Sequence, residues 1–285
     1  WPVLIAQLAW FMHWKKFLGL IIIYKITIDI LQKILPNRNK LFMLKDKIAI
    51  IFGARTGIGL ETLKTFAKNK ANIHACIRKA DKDFTSICNK LKKKHNINIS
   101  ITTFDVNEVD ETKKKLTNLL NKLPKIDIYV NITALIEFSL FEMSTINFAK
   151  KIFDTNFFSQ IQALQMVLKK MKKSKSGSVI NLSSSATFEK NVGTSIYASS
   201  KAALETMSQV ISREVGRFNI RVNTVQPGLV DTEAMKKVHP EKFINEQLNR
   251  YSLKKIANVK DVANLILFLA SDNSSHITGQ IIKIN

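Results

Sequence analysis

Two side chains in this chain stand at a spacing that can move a proton. Tyr197 and Lys201 are four residues apart in Tyr197-Ala-Ser-Ser-Lys201, which on a helix places both on one face, one turn apart. An ammonium beside a phenol favours the phenolate and lowers its pKa. The pair is therefore expected to exchange a proton near neutral pH as a general acid or base. The spacing also arises by chance on many helices, so the reading depends on the elements upstream that would position the pair.

The first of these is Lys47–Phe52, a short apolar run that reads as a buried parallel strand. It leads directly into Gly53-Ala-Arg-Thr-Gly57-Ile-Gly59 and then a helical pattern through Lys68. Strand, glycine-rich turn and helix are the context of a phosphate-binding loop. The glycines let the backbone approach a pyrophosphate, and the helix start offers free N–H groups and a positive dipole end. A second strand, Asn72–Ile77, ends where an acidic residue would hold the ribose 2′-hydroxyl of NAD. Here Ile77 is followed by Arg78-Lys79, and Arg55 lies in the loop itself. Cations there suit a 2′-phosphate, so NADP(H) is favoured over NAD(H). The third strand, Ile99–Phe104, is closed by Asp105-Val106. That carboxylate is expected either to accept a hydrogen bond from an adenine amino group or to cap the helix Glu108–Lys122. A fourth strand follows at Ile126–Val130.

In the second half, a long helix is expected from about Ile146 to Lys173, with Asn156 inside it. Asparagine is mildly unfavourable in a helix interior, so its presence invites a reason. Gly177–Leu182 reads as a fifth strand ending in Ser183-Ser184-Ser185, and the Tyr197 helix runs to about Phe218. A sixth strand, Ile220–Val225, precedes Pro227-Gly228. Leu229–Leu253 is polar and mixed and reads as a mobile helical lid. A helix at Val259–Ala270 and a last strand at Ile281–Ile284 complete the pattern. Strands alternating with helices predict an α/β fold: a Rossmann-type, doubly wound parallel sheet of about seven strands in one domain over 46–285.

Composition narrows the partners. The 285 residues are 46% apolar, enough for a full core, and 44 basic against 22 acidic residues give a net charge of +22. Such a charge can mark a nucleic-acid or anionic-membrane partner. Only seven of the basic residues are arginine, and the lysines spread along helices, as in Lys92–Lys94, Lys113–Lys115 and Lys169–Lys175. Solvated helix faces explain them, and no nucleic-acid partner is expected. Cys76 and Cys88 show neither a disulfide framework nor metal-ligand spacing, which fits a reducing compartment and no metal. Residues 1–45 differ from the rest. Tryptophans at 1, 10 and 14, Lys15-Lys16 and the apolar Phe17–Tyr24 precede an amphipathic stretch and the break Pro36-Asn37-Arg38-Asn39. No run reaches the roughly 20 apolar residues that spanning needs. An interface-lying helix or a truncated anchor is expected, with membrane association, the endoplasmic reticulum among the candidate sites. No small-residue cleavage site favours a signal peptide. The first residue is Trp rather than Met, which is read as a missing N-terminus.

Over about residues 46–285 these features together resemble the short-chain dehydrogenase/reductase family. Phe52-Gly53-Ala-Arg-Thr-Gly57-Ile-Gly59 matches its Thr-Gly-x-x-x-Gly-x-Gly motif except at Phe52. Asp105 matches the aspartate after the third strand, and Asn156 matches the helix asparagine. Tyr197 and Lys201 match the active-site pair. Thirteen residues before the tyrosine, where the family has its catalytic serine, stands Ser184. Pro227-Gly228-Leu-Val-Asp-Thr232, Leu267–Asp272 and Ile277–Gln280 match the C-terminal segments. Three departures stand out: Phe52 for the loop threonine, Asn131-Ile132-Thr133-Ala134 for Asn-Asn-Ala-Gly, and an end at Asn285 before the usual Gly-Gly tail. Replacing both members of a polar pair by apolar residues is nearly neutral, whereas losing one strands the other.

The resemblance implies hydride exchange between a nicotinamide and a carbonyl or alcohol carbon. Tyr197 would donate the proton, Lys201 would lower its pKa and hold the ribose, and Ser184 would bind the substrate oxygen. Asn156 would link Lys201 to solvent through its backbone and a water. The cofactor would lie against Gly53, Arg55, Thr56, Gly57, Ile58, Gly59, Arg78, Asp105, Val106, Asn131, Tyr197, Lys201, Pro227, Gly228, Val230 and Thr232. A pocket over Ala134–Phe138, Ala186–Ile196 and the lid is rich in apolar residues, which favours a lipophilic substrate: a sterol, a retinoid or a 3-oxoacyl compound. Family members pair as homodimers or homotetramers through the helices that here carry Asn156 and Tyr197. The alternative is a non-catalytic NADP-binding scaffold or sensor.

Overall fold

The computed structural model describes residues 42–285. Its compact unit runs from Met43 to Asn285. It starts slightly before the expected residue 46, because Leu44 is fully buried and its N–H donates to the Asn69 carbonyl at 3.2 Å. The expected membrane-associated segment, residues 1–41, lies outside the described residues. Among the described residues no helix is long and apolar enough to cross a membrane.

Seven strands form one parallel sheet: β1 (Ile48–Phe52), β2 (Asn72–Ile77), β3 (Ile99–Thr103), β4 (Ile128–Asn131), β5 (Gly177–Leu182), β6 (Ile220–Pro227) and β7 (Ile281–Ile284). Their order is β3-β2-β1-β4-β5-β6-β7. The helices are α1 (Gly57–Lys68), α2 (Lys82–His95), α3 (Val109–Lys122), α4 (Ile146–Phe153), α5 (Ser159–Ser174), the short α6 (Ala186–Glu189), α7 (Ser195–Val215), α8 (Glu233–Val238), α9 (Glu241–Arg250) and α10 (Val259–Ala270). This is the doubly wound arrangement expected from the alternating pattern. The chain winds outward from β1 to β3, then crosses to β4 and winds outward the other way. The crevice at the carboxyl ends of β1 and β4 is thus the switch point where such sheets bind ligands.

Alternation along the strands builds two cores. Ala49 and Ile51 of β1 pack with Leu63 and Phe66 of α1, Phe84 of α2 and Ile266 of α10. Ile50 and Phe52, pointing the other way, pack with Leu116 and Leu120 of α3 and Val167 and Met171 of α5. Both sheet faces are covered, as a buried parallel sheet requires.

Two expectations are corrected. The helix foreseen from Ile146 to Lys173 is not continuous. Asp154–Phe158 forms one π-helical turn between α4 and α5, with the Ser159 N–H bonded back to the Asp154 carbonyl. The turn makes room for Asn156, whose side chain bonds outside the helix. Asp105 does not cap α3, whose N-cap residue is Glu108. Its Oδ1 instead accepts from the Asn107 N–H at 3.0 Å.

Phe52, at the place of the family's threonine, is almost fully buried. Its ring meets Phe104 and Tyr129 edge-on, with centroids 5.5 and 5.3 Å apart, a geometry aromatic quadrupoles favour. Asn131, its register partner on β4, keeps an Nδ2 with no partner among the described residues. Phe52→Ala should open a cavity at this junction and destabilise the fold by about 3–5 kcal/mol, read from the urea midpoint.

Candidate active site

Helix α7 carries the chemistry. Tyr197 and Lys201 are both buried, 5% and 1% exposed. Lys201 Nζ donates to the Leu182 carbonyl, the last residue of β5, at 2.9 Å. That bond joins the helix to the strand end from which Ser183-Ser184-Ser185 continues. The Ser184 side chain acts on the Tyr197 phenol, opposing the effect of burial on its pKa, and its Oγ also accepts from the Ala186 N–H at 3.2 Å. Serine, phenol and ammonium therefore meet where the resemblance placed them.

The electrostatics differ from the expectation. Burial pushes the Tyr197 phenol up to about 12, and the Ser184 hydrogen bond offsets only part of this. The predicted depression by Lys201 is not seen: burial sets the direction of the shift, and only Ser184 opposes it. Lys201 is itself lowered to about 8 by burial, against the opposing pull of the Glu205 carboxylate. Near neutral pH the phenol is thus a proton donor and the lysine still largely an ammonium.

Asn156, fully buried, grips the loop after β4. Its Oδ1 accepts from the Leu135 N–H at 2.7 Å and its Nδ2 donates to the Leu135 carbonyl at 3.0 Å. The same Nδ2 reaches Ser200 Oγ at 3.2 Å, and Ser200 donates to the Tyr197 carbonyl at 2.7 Å. The side chain therefore fastens the substrate-side loop to the catalytic helix. The residue before it, Thr155, exchanges hydrogen bonds with Asn107 beyond β3, which links the π turn to the Asp105 loop.

On the nucleotide side, α1 begins at Gly57 with no side-chain cap and no acidic residue in its first turn. Its free N–H groups suit an anion. A β-carbon on Gly59 would lie 2.0 Å from the Gly53 carbonyl oxygen, and one on Gly57 would lie 3.3 Å from Thr232 Cγ2. The loop is thus closed on itself, and the Thr232 side chain lies close against Gly57. Thr232 Oγ1 accepts from the Met235 N–H at 3.1 Å as the N-cap of α8. Asn131 Oδ1 accepts from the Thr133 N–H at 3.2 Å, and its Nδ2 is buried without a partner among the described residues. These features fit a dinucleotide. At the adenosine end, Arg55 pairs with Asp81 at 2.8 Å, and Arg78 is exposed beside them. A concavity of about 790 Å³ lies along the loop after β2 and one face of α2, lined in part by Lys79, Asp81, Lys82 and Lys93. Ile58 and Val106 are partly buried against the two cores, and Val230 is buried and bridged to Ala257.

The segment 229–253, expected to be a helical lid, contains α8 and α9. Phe138 links it to the reactive centre: its ring meets Tyr197 at 5.5 Å and His239 at 5.3 Å, and His239 stacks on Phe243 at 4.5 Å. Burial lowers the His239 pKa. Phe188, foreseen as pocket lining, has Lys283 Nζ over its ring at 3.9 Å. Several residues escaped the sequence reading. Tyr251 Oη accepts from the Leu229 N–H at 3.0 Å and donates to Glu189 at 3.1 Å, bracing the segment after Pro227-Gly228. Asp81 caps α2 by accepting from the Phe84 N–H, a role readable from its place before a lysine-rich helix. Glu205 and His239 gave no signal, since neither belongs to a motif.

Comparison with known proteins supports this architecture. The family described as enoyl-(acyl carrier protein) reductase matches residues 53–285. The chain is 32% identical over 245 residues to the 3-oxoacyl-(acyl-carrier-protein) reductase FabG of Chlamydia muridarum, covering 85% of this chain and 97% of that protein. It is 30% identical over 242 residues to the 7alpha-hydroxysteroid dehydrogenase of Escherichia coli K12, covering 85% and 94%. A solved short-chain dehydrogenase/reductase from Serratia marcescens superposes with a TM-score of 0.78 at 23% identity, covering 85% and 97%, and shows the same fold. With the motif residues gathered at one crevice and relatives aligned across the domain, the chain belongs to the short-chain dehydrogenase/reductase family of oxidoreductases.

Proposed function

We propose that this enzyme is NADP-dependent and acts on the carbonyl or alcohol of a lipophilic substrate of 3-oxoacyl type. One observation carries the reading: a buried ammonium, Lys201, is anchored at 2.9 Å on the carbonyl of Leu182, the end of the strand that leads into Ser184, and stands one helical turn from the buried Tyr197 phenol. A non-catalytic scaffold has no need of a lysine buried at this cost. The names of the relatives, a 3-oxoacyl reductase and a hydroxysteroid dehydrogenase, support a lipophilic carbonyl. So does the pocket rim. Ser139 donates to the Gly193 carbonyl at 3.0 Å, and the exposed Leu140 and Val192 flank that link. Apolar residues 1–45 extend the reading to a membrane surface, and the α4–α5 and α7 helices to a homodimer or homotetramer.

When bound, the dinucleotide supplies the hydride. The chain's residues do the rest. Ser184 orients the substrate oxygen and donates to it as negative charge develops. Tyr197, protonated throughout the neutral range, gives up its proton to that oxygen. Lys201 stabilises the phenolate left behind, with its position set by Leu182. Arg78 and Lys79 at the end of β2, with Arg55 in the glycine loop, supply the positive charge that a 2′-phosphate requires.

Three outcomes test this. With acetoacetyl-coenzyme A as a short 3-oxoacyl probe, NADPH oxidation should be measurable, and Tyr197→Phe should lower kcat by about 100-fold or more while NADPH binding, followed by fluorescence, persists. A Tyr197→Phe enzyme as fast as the parent would refute the assignment. Because the folded Lys201 loses its proton as pH rises through about 8, kcat/KM should fall above that pH and stay level below it. Finally, Arg78→Ala should weaken NADPH by about tenfold, the worth of a charge-assisted hydrogen bond, and leave NADH nearly unaffected in the same assay.

A further inference from the structure

Beneath the reactive residues lies a carboxylate that the mechanism above does not use. Glu205 is only 8% exposed. One of its oxygens, Oε1, gathers three partners: Ser183 Oγ at 2.5 Å, Gln226 Nε2 at 2.7 Å and Thr187 Oγ1 at 3.1 Å. Each partner sits next to a working segment. Ser183 immediately precedes Ser184. Thr187 Oγ1 also lies 3.1 Å from the Ser184 carbonyl. Gln226 precedes Pro227-Gly228 at the end of β6. Glu205 is itself one turn beyond Lys201 on α7, so the two side chains share a face. A single oxygen therefore ties the ends of β5 and β6 to the catalytic helix.

We propose that Glu205 is a positioning residue of the reaction: its carboxylate ties the side chains of Ser183, Thr187 and Gln226, which flank Ser184 and Pro227-Gly228, to the catalytic helix, and sets a negative charge on the helix face that carries the buried Lys201. A carboxylate is needed rather than any acceptor because the site holds a cation with little solvent. Hydrogen bonds alone would be served by a glutamine. Glu205 is the group that pulls the Lys201 pKa up against burial. The other charged groups near the cluster are engaged elsewhere. Lys283, the register partner of Gln226, lies over the Phe188 ring. Glu189 accepts from Tyr251 and Asn191. Tyr197, on the same helix, is held protonated by burial. Ser183, Thr187 and Gln226, which face Glu205 from the remaining elements, do not titrate.

The inference rests on the catalytic role of Lys201, so its test has one readout that needs turnover and one that does not. Glu205→Gln keeps an acceptor oxygen and removes the charge. With acetoacetyl-coenzyme A and NADPH, its alkaline limb in kcat/KM should move to lower pH by about 1 unit. Glu205→Asp, which keeps the charge, should leave the limb where the parent has it. The second readout is the thermal midpoint against pH. Lys201 has a folded pKa of about 8 against an ordinary 10.5. The unfolded chain therefore holds more protons between these values, and stability from this group rises with pH across that window. Glu205→Gln should start the rise at lower pH. In a Lys201→Met background, Glu205→Gln should not change the shape of the curve.

A limb and a stability window that both stay in place, whatever happens to kcat, would reduce Glu205 to packing and overturn the proposal. Absence of turnover in the parent enzyme, with the stability window still displaced, would instead count against the proposed function and leave the coupling intact. Should Glu205→Gln fail to fold, a folded Glu205→Asp with the parental window supports the need for charge, and an unfolded Glu205→Asp overturns it.

Discussion

A lysine ammonium held out of water is the constraint on which this structure turns. Burying a charge is strongly unfavourable unless partners replace its hydration. Lys201 finds a hydrogen-bond acceptor in the Leu182 carbonyl and an opposite charge in Glu205. The need for those partners explains why α7 packs a polar stripe where helices usually bury aliphatic residues. Ser200, Lys201, Glu205, Ser208 and Ser212 are all buried along it. Ser208 accepts from Asn181 of β5 at 2.9 Å, so the stripe docks on the central strands through hydrogen bonds rather than grease.

That docking sets the distances of the catalytic groups. Strand β5 ends at the residue that binds Lys201, and the next turn carries Ser184 to the Tyr197 phenol. Across the sheet, the crossover from β3 to β4 puts the glycine loop at the switch point, where Gly57 lies close against Thr232. Asn156 closes the arrangement from below. The π turn that accommodates it lets one buried amide bond both Leu135 and, through Ser200, the Tyr197 backbone. Single π turns inside α-helices often mark functional sites, and this one does so by joining the substrate loop to the helix that bears the acid.

The departures from the family pattern have local rather than global consequences. Phe52 occupies the threonine's place by joining Phe104 and Tyr129 in the core beneath the crevice. Ile132, partly buried, replaces the polar partner on the neighbouring strand. The substitution is not wholly neutral. Asn131 Nδ2 and the Tyr129 hydroxyl are both left without partners among the described residues, and burial raises the Tyr129 pKa well above its ordinary value. Aromatic packing fills this junction, and the Asn131 amide nitrogen is left buried beside it without a partner among the described residues.

The strand–loop–helix order, the glycine cradle, the seven parallel strands and the Tyr197 and Lys201 pair were legible in the sequence, because each rests on a local rule: period-2 and period-3.6 burial, glycine where backbones touch, and i to i+4 spacing on one helix face, whereas Ser184 was singled out only by the family resemblance. What the sequence left undetermined depends on neighbours distant along the chain. The π break at Asn156 follows from a hydrogen bond to Leu135, twenty-one residues away. The roles of Glu205 and Tyr251 arise from partners on other elements. The direction of the Tyr197 shift was misread for the same reason: spacing announces the ammonium, but only the folded packing reveals how much water the phenol has lost, and that desolvation sets the direction. Local periodicity thus determined the frame and the reacting groups, whereas burial and long-range hydrogen bonding, which exist only after the chain has closed on itself, decided their protonation and alignment.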